Sequence, residues 1–250
     1  MSEAKLTAHL DEELLNNCMR CGFCLPACPT YRHREIESAS PRGRIALMRS
    51  VHEGKLEIEQ IADQLDLCLG CRACEPVCPA GVPYGQILEQ GRAMLTEARA
   101  NPWPVRFAYR WVLGTPLGIK LGGWGLWLYQ KSGLRRLARK LNLVERVAGP
   151  GLAAMERAVP EAASPVRRAK VARVTSAAGE RKARVGFFLG CVSDMVFFET
   201  NAAAIKVLAA AGCEVSVAPG QGCCGAVHGH AGEHGTAVAQ AKRNIAAFET

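Results

Sequence analysis

The apolar positions of this chain change rhythm several times along its length. Between residues 29 and 67, Pro41-Arg-Gly-Arg-Ile-Ala-Leu-Met-Arg is a run in which Ile45, Leu47, Met48 and then Val51 supply one apolar face. Proline is pre-set for a first helical turn, so the run predicts a helix beginning at Pro41. Leu56, Ile58, Ile61 and Leu65 follow with mostly i, i+3/i+4 spacing and predict a second helix, and a third is expected from about Gln86 to Ala98. Residues 1–99 therefore read as one helical domain.

Residues 100–159 differ. Trp103, Phe107, Tyr109, Trp111, Trp124, Trp127 and Tyr129 crowd together among glycines, and Lys120 is the only charge from Trp111 to Tyr129. A membrane span must be considered there. Five glycines, a proline and the central Lys make it a poor insertion candidate. A helical hairpin packed on the first domain, or on a partner, is expected, with interfacial membrane contact through the basic 131–140 helix as the alternative.

Residues 160–184, rich in Ala, Pro, Ser, Lys and Arg without periodicity, read as a linker. In 185–250 an apolar strand, Arg184-Val-Gly-Phe-Phe-Leu-Gly190, precedes a helix from about Phe197 to Ala211; Glu214-Val-Ser-Val-Ala218 is a second strand and Glu233–Phe248 a second helix. Strand, helix, strand, helix implies a parallel α/β unit. Two parallel strands bury too little to stand alone and the pattern stops inside a helix, so the sequence is expected to be truncated or completed by a segment supplied elsewhere. The expected fold class is mainly α with α/β: a helical domain followed by the first part of an α/β domain.

Charge changes this picture little. The chain carries 31 Lys+Arg against 23 Asp+Glu, a formal net charge of +8. The excess is local, at Lys131, Arg135, Arg136, Arg139 and Lys140 and again between Arg167 and Arg184. Such runs suit a solvated face, an acidic partner or an anionic membrane surface. Met1-Ser-Glu-Ala-Lys, then Asp11-Glu-Glu, lacks the apolar core of a signal peptide. A cytoplasmic location is expected, with peripheral attachment to the inner membrane face as an option, and a disulfide framework is not expected.

The twelve cysteines carry the chemistry. Cys18-Met-Arg-Cys21-Gly-Phe-Cys24-Leu-Pro-Ala-Cys28-Pro29 and Cys68-Leu-Gly-Cys71-Arg-Ala-Cys74-Glu-Pro-Val-Cys78-Pro79 share the punctuation C-x2-C-x2-C-x3-C-P. That run resembles the ligand run of bacterial-type ferredoxins, which hold [4Fe–4S] clusters. Short spacers let one loop aim three sulfurs at one cluster, while the fourth Cys, beside its proline, serves the cluster of the other run. The expected sets are Cys18, Cys21, Cys24 with Cys78, and Cys68, Cys71, Cys74 with Cys28. With eight thiolates near −8 and two oxidised clusters near +4, the loaded chain would carry about +4, which weakens any nucleic-acid reading. Two four-cysteine zinc sites are the competing reading, but structural zinc leaves the third Cys and the trailing C-P of each run unexplained.

A second constellation lies in the α/β unit. Cys191 ends the first strand, and Gly222-Cys223-Cys224-Gly225 forms the turn after the second. Strand ends are where sites gather in such folds, and flanking glycines let the backbone wrap a centre closely. Buried free thiols are the alternative, and the expected state of Cys213. His228, His230 and His234 just downstream are expected in a solvated Gly/His loop, with a metal role as the alternative.

The two runs, the Pro41-Arg-Gly-Arg-Ile segment and Cys191…Cys223-Cys224-Gly, in this order, resemble the iron–sulfur subunit family of glycolate oxidase. Cys21-Gly-Phe-Cys24…Cys28-Pro-Thr-Tyr31 and Gly222-Cys-Cys-Gly-Ala-Val227 are especially similar. Related families are the lactate-utilisation iron–sulfur protein, the anaerobic glycerol-3-phosphate dehydrogenase C subunit and heterodisulfide reductase B-type subunits, which share the cysteine-rich domain. The resemblance implies two [4Fe–4S] clusters, and a third iron–sulfur centre if the cysteine-rich domain is completed. It implies flavoprotein (FAD) partners that oxidise glycolate, and electron flow toward a quinone or another acceptor. The chain itself carries no dinucleotide fingerprint, so substrate chemistry is assigned to those partners and no catalytic residue is expected here. Arg42, Arg44 and Arg72 are candidates to raise cluster potentials, with surface solvation the alternative for at least one of them.

Overall fold

The computed structural model describes residues 10–99 and 103–249. The reading of Met1–Lys5 lies outside them. The chain forms two compact units, one built from residues up to Trp103 together with Ala226–Ala237, the other from Pro104–Gly225 and Val238 onward.

The first unit contains α1 (Glu12–Asn16), α2 (Pro29–Arg34), α3 (Pro41–His52), α4 (Ala62–Leu67) and α5 (Tyr84–Ala98), with short 3-10 turns at Glu37–Ala39 and Ile58–Ile61. Asp11 caps α1, its Oδ1 accepting from the Glu13 and Leu14 amides. Ser40 caps α3: Pro41 takes the first helical position and the Gly43 amide donates to Ser40 Oγ at 2.9 Å. The expected apolar faces close on one another, with Met48, Leu65 and Ile87 fully buried among Leu15, Ile45, Ile58, Ile61 and Leu88. Each such side chain contributes roughly 1.5–3 kcal/mol by leaving water. The second expected helix is divided, because Ile58–Ile61 winds as 3-10 before α4 begins.

In the second unit α6 (Trp103–Phe107) runs into a π-helical stretch, Ala108–Leu113, followed by α7 (Pro116–Lys131), α8 (Leu134–Lys140) and α9 (Leu143–Ala158). Thr115 caps α7, and α9 is broken at Gly149, whose φ of 84° precedes Pro150. Glu156 ties the three longer helices: it accepts from Arg135 at 3.2 Å, Arg139 at 3.0 Å and the Tyr129 hydroxyl at 3.3 Å. Trp111, Leu117, Leu121, Trp124 and Leu128 stay exposed. No helix among the described residues is long and apolar enough to cross a membrane.

The α/β part follows: α10 (Pro165–Arg168), β1 (Val174–Thr175), β2 (Ala183–Gly186), α11 (Cys191–Val196), α12 (Phe198–Ala210), β3 (Cys213–Ser216), α13 (Ala226–His230) and α14 (His234–Phe248). The sheet order is β1-β3-β2. β2 and β3 are parallel, with Val185 opposite Val215, as a crossover through α11 and α12 requires. The segment 160–184 is not wholly linker. It contains α10 and the edge strand β1, antiparallel to β3, and two strand residues are too few to show a period in sequence. Ile205, Val215 and Val217 form the small core beneath.

Residues 226–237 belong with the first unit, against α5. Arg92 Nη1 donates to the His230 carbonyl at 3.0 Å and Thr96 Oγ1 to that of Ala231 at 3.0 Å. Gly232 has φ +83°, and a Cβ there would lie 2.6 Å from the Arg92 carbonyl oxygen. The expected solvated Gly/His loop is instead a helical turn with His228 buried. His230 is exposed, its Nδ1 2.9 Å from Glu89 Oε1.

Two alanine substitutions check this packing. A Cβ at Gly43 would stand 1.9 Å from the Glu37 carbonyl oxygen, whereas one at Gly125 meets nothing within 4 Å. In urea titrations, Gly43→Ala is expected to lower stability by about 1–3 kcal/mol. Gly125→Ala, in the body of α7, should leave it unchanged or raise it by up to about 1 kcal/mol.

Candidate metal centre

The two cysteine runs of the first unit fold as copies of one loop. In the first, Arg20 and Gly22 have positive φ (57° and 91°); in the second, Gly70 and Arg72 do (63° and 56°). These are the same two positions of the repeat, with glycine and arginine exchanged. Left-handed backbone at a non-glycine residue is held only where its surroundings demand it. Here the two reversals turn the loop so that its first three cysteines line one cavity. Each run then closes with the same pair of turns: Leu25 N to Gly22 O and Cys28 N to Leu25 O, matched by Glu75 N to Arg72 O and Cys78 N to Glu75 O.

The fourth cysteine of each run leaves its own loop. One cavity is lined by Cys68, Cys71 and Cys74 together with Cys28. The other is lined by Cys18, Cys21 and Cys24 together with Cys78. Between them runs a cleft walled by Cys18, Cys24, Cys74, Cys78, Ile45 and Val82. Among the described residues, no three His, Cys, Asp or Glu side chains stand close enough to hold a single metal ion. The sulfurs surround spaces and do not converge on a point. Four thiols around one cavity suit the donor set of a polynuclear cluster.

Several wall residues carry no signal in the cysteine spacing. Thr30, in the first turn of α2, has Oγ1 3.2 Å from Cys28 Sγ and donates to the Ala39 carbonyl at 2.9 Å. Tyr84, the first residue of α5, donates its hydroxyl to Cys68 Sγ at 3.5 Å. Glu75 accepts from Arg72 Nε at 2.8 Å and from the Gly85 amide at 2.7 Å, joining the second loop to the start of α5. Arg92 Nη2 binds the carbonyls of Leu65 and Cys68, at 3.0 and 2.7 Å. Of these, Thr30 falls in Cys28-Pro-Thr-Tyr31 and Glu75 inside the second cysteine run, whereas Tyr84 and Arg92 lie outside any phrase that stands out in the sequence.

Electrostatics separates the thiols. Burial pushes the Cys74 thiol up to about 12 and raises Cys24 as well. At Cys28 burial also pushes upward, but the Thr30 hydroxyl, the Tyr31 and Thr30 amides and the nearby Arg44 charge outweigh it, leaving the thiol below its ordinary value. Tyr84 lies well above the usual phenol range because it is buried and faces the Cys68 sulfur.

In the second unit, Gly190 (φ 71°) turns the chain from β2 into α11 and places Cys191 at its first position. Cys191 shares a hydrogen bond with Cys223, and burial together with that neighbour raises its thiol pKa. Cys224 is close enough to add to this field and is itself exposed. The structure thus brings Cys191, Cys223 and Cys224 together and leaves Cys213 apart, half-buried on β3. Polar side chains stitch the turn: Asn244 accepts from the Gly222 amide and donates to the Cys223 carbonyl, both at 2.8 Å. Gln221 accepts from the Leu189 amide at 2.7 Å and donates to the Phe187 and Ala218 carbonyls.

Comparison with known proteins follows the same divisions. Residues 14–82 match a "4Fe-4S dicluster domain" and residues 185–250 a "Cysteine-rich domain". Residues 101–159 match the "Glycolate oxidase iron-sulfur subunit, linker region". A probable glycolate oxidase iron–sulfur subunit of Bacillus subtilis is 44% identical over 96% of this chain and 55% of its own length. The chain belongs to the glycolate oxidase iron–sulfur subunit family. The Escherichia coli glycolate oxidase iron–sulfur subunit is 32% identical over 95% of this chain and 53% of its own length. A fumarate reductase (CoM/CoB) subunit of Methanothermobacter marburgensis is 25% identical over 86% of the chain and 35% of that protein. The chain thus spans about half the length of the two glycolate oxidase subunits it matches. No solved structure matches it.

In this family member Cys28 and Cys74 are equally buried, each 7% exposed, yet their thiols shift in opposite directions. Brief alkylation of the metal-free chain at pH 8, read by peptide mass, should modify Cys28 at least about tenfold faster than Cys74, because the thiolate reacts and the thiol does not. Raising the pH should narrow the gap.

Proposed function

We propose that this chain is the electron-relay part of a glycolate-oxidising complex. Cys18, Cys21, Cys24 and Cys78 hold one [4Fe–4S] cluster, and Cys68, Cys71, Cys74 and Cys28 hold the other. Each cluster, when bound, accepts and returns one electron at a time. The grouping of four cysteines around each of two neighbouring cavities carries this reading. The chain's own contribution is positional. Two left-handed turns per loop aim the sulfurs, α3 and α5 supply the apolar wall between the sites, and the cleft joining the cavities keeps the two centres close. Flavoprotein (FAD) subunits would take the hydride from glycolate, and a quinone or another acceptor would receive the electrons.

The match of residues 101–159 to the glycolate oxidase linker supports glycolate over lactate or glycerol-3-phosphate. On this reading the chain works in the cytoplasm, against partner subunits or peripherally on the inner membrane face. Cys191, Cys223 and Cys224 would supply sulfurs to a third iron–sulfur centre once further ligands join them.

Anaerobically purified protein is expected to contain about eight irons and eight sulfides and, when reduced, to give the EPR signal of two interacting [4Fe–4S]+ centres. Zinc in place of iron would overturn the relay. The crossed sets make a sharper demand. Cys28→Ser should disturb the centre of Cys68, Cys71 and Cys74, and Cys78→Ser that of Cys18, Cys21 and Cys24. Loss of the neighbouring centre in its own run would show that ligation is not crossed.

A further inference from the structure

The three arginines beside the cysteine runs are not equivalent. Arg42 grips Glu37, with Nε to Oε1 at 2.6 Å and Nη2 to Oε2 at 3.0 Å. Arg72 is paired with Glu75 at 2.8 Å. Each of these brings a dipole to its cavity more than a net charge. Arg44 is only 1% exposed. Its Nε donates to the Gln64 carbonyl at 2.6 Å and its Nη2 to Thr30 Oγ1 at 3.1 Å. Among the described residues no carboxylate lies within ion-pair distance of it. Arg44 lines the cavity of Cys28, Cys68, Cys71 and Cys74, but neither the other cavity nor the cleft between them.

A buried guanidinium without an anion is costly, so its retention implies an anion that the protein alone does not supply. A cubane with four thiolates carries about −2 oxidised and about −3 reduced. A fixed cation in a low-dielectric wall favours the more negative state, and so does a hydroxyl donated to a ligand sulfur. The Arg44 guanidinium is one hydroxyl, that of Thr30, away from Cys28 Sγ, and Tyr84 donates to Cys68 Sγ from the same wall. The deeper burial of Cys28 and Cys74 acts the other way, since it removes water that would solvate added charge. That loss is spread over the site, whereas the unpaired charge is local and water does not screen it.

We propose that Arg44, together with the Tyr84 hydroxyl, makes the Cys28, Cys68, Cys71, Cys74 site the higher-potential member of the pair, so that a single electron given to the two-centre unit resides there. This rests on the reading that each set of four cysteines holds a [4Fe–4S] cluster.

An EPR-monitored redox titration of the iron-loaded full chain tests it. The wild type should reduce in two resolved one-electron steps. Arg44→Met should lower the midpoint of the higher step by a tenfold loss in its equilibrium constant or more, about 59 mV for one electron. Tyr84→Phe should lower the same step by less, and Arg42→Gln should leave it in place. A single wild-type step overturns the proposal, as does either of the first two variants leaving the higher step unmoved or lowering the other step. Should Arg44→Met fail to load iron, Tyr84→Phe decides by the same criterion. Iron and sulfide analysis separates the two levels: two clusters with unshifted midpoints overturn this inference alone, and a wild type without two clusters overturns the reading beneath it as well.

Discussion

The first unit depends on an exchange: each cavity takes its fourth sulfur from the other cysteine run, fifty residues away in the repeat. That exchange is a constraint on topology before it is a matter of chemistry. Cys28 can reach the second loop, and Cys78 the first, only if the chain between them returns the two loops to one place. The apolar faces of α3, α4 and α5 enforce this return, with Met48, Leu65 and Ile87 at its centre. Ser40 and Pro41 fix where α3 starts. Neither loop is a finished site without the helical core.

Because the loops are copies, the differences between their surroundings become informative. Both runs have a paired arginine at the mouth, Arg42 with Glu37 and Arg72 with Glu75. Among the described residues, Arg44 at the Cys28, Cys68, Cys71 and Cys74 cavity is buried and meets no carboxylate. The same wall holds the hydroxyls of Thr30 and Tyr84, whereas at the other site Cys24 meets the Arg42 amide and charge. Chance placement of a fully buried guanidinium is expensive. On the proposed reading, the asymmetry matches a site that holds the more negative charge.

The cysteine spacing, read by its resemblance to ferredoxin runs, raises the two crossed four-sulfur sets as an expectation, and the same residues line the two cavities. The helices of 41–98 are legible from their apolar period. Other features are not. Tyr84 and Arg92 act on Cys68 from another element, and nothing local in sequence marks a side chain whose partner lies 16 to 24 residues away. β1 reads as linker in the sequence because Val174 and Thr175 pair only through β3, a tertiary contact. Glycines around His228 point to a solvated loop, yet the turn it sits in is helical and buries it. Of the three arginines, sequence can nominate all and rank none, because ranking requires knowing which of them meets a carboxylate.

α5 connects these observations. Its first residue, Tyr84, faces Cys68 Sγ, and two turns later Arg92 holds the Cys68 carbonyl, so one helix positions both ends of the same cysteine residue. Arg92 also donates to the His230 carbonyl, 138 residues on, and Thr96 to that of Ala231. Gly232 permits this approach, since any side chain there would meet the Arg92 backbone. The segment 226–237 therefore bears on Cys68 through a single guanidinium that divides its donors between them. A weaker hold on 226–237 frees Arg92 Nη1, while Nη2 keeps its two carbonyls. The second loop thus remains anchored by contacts internal to residues 65–92, and docking of the later segment adds to the placement of Cys68 without being its sole support.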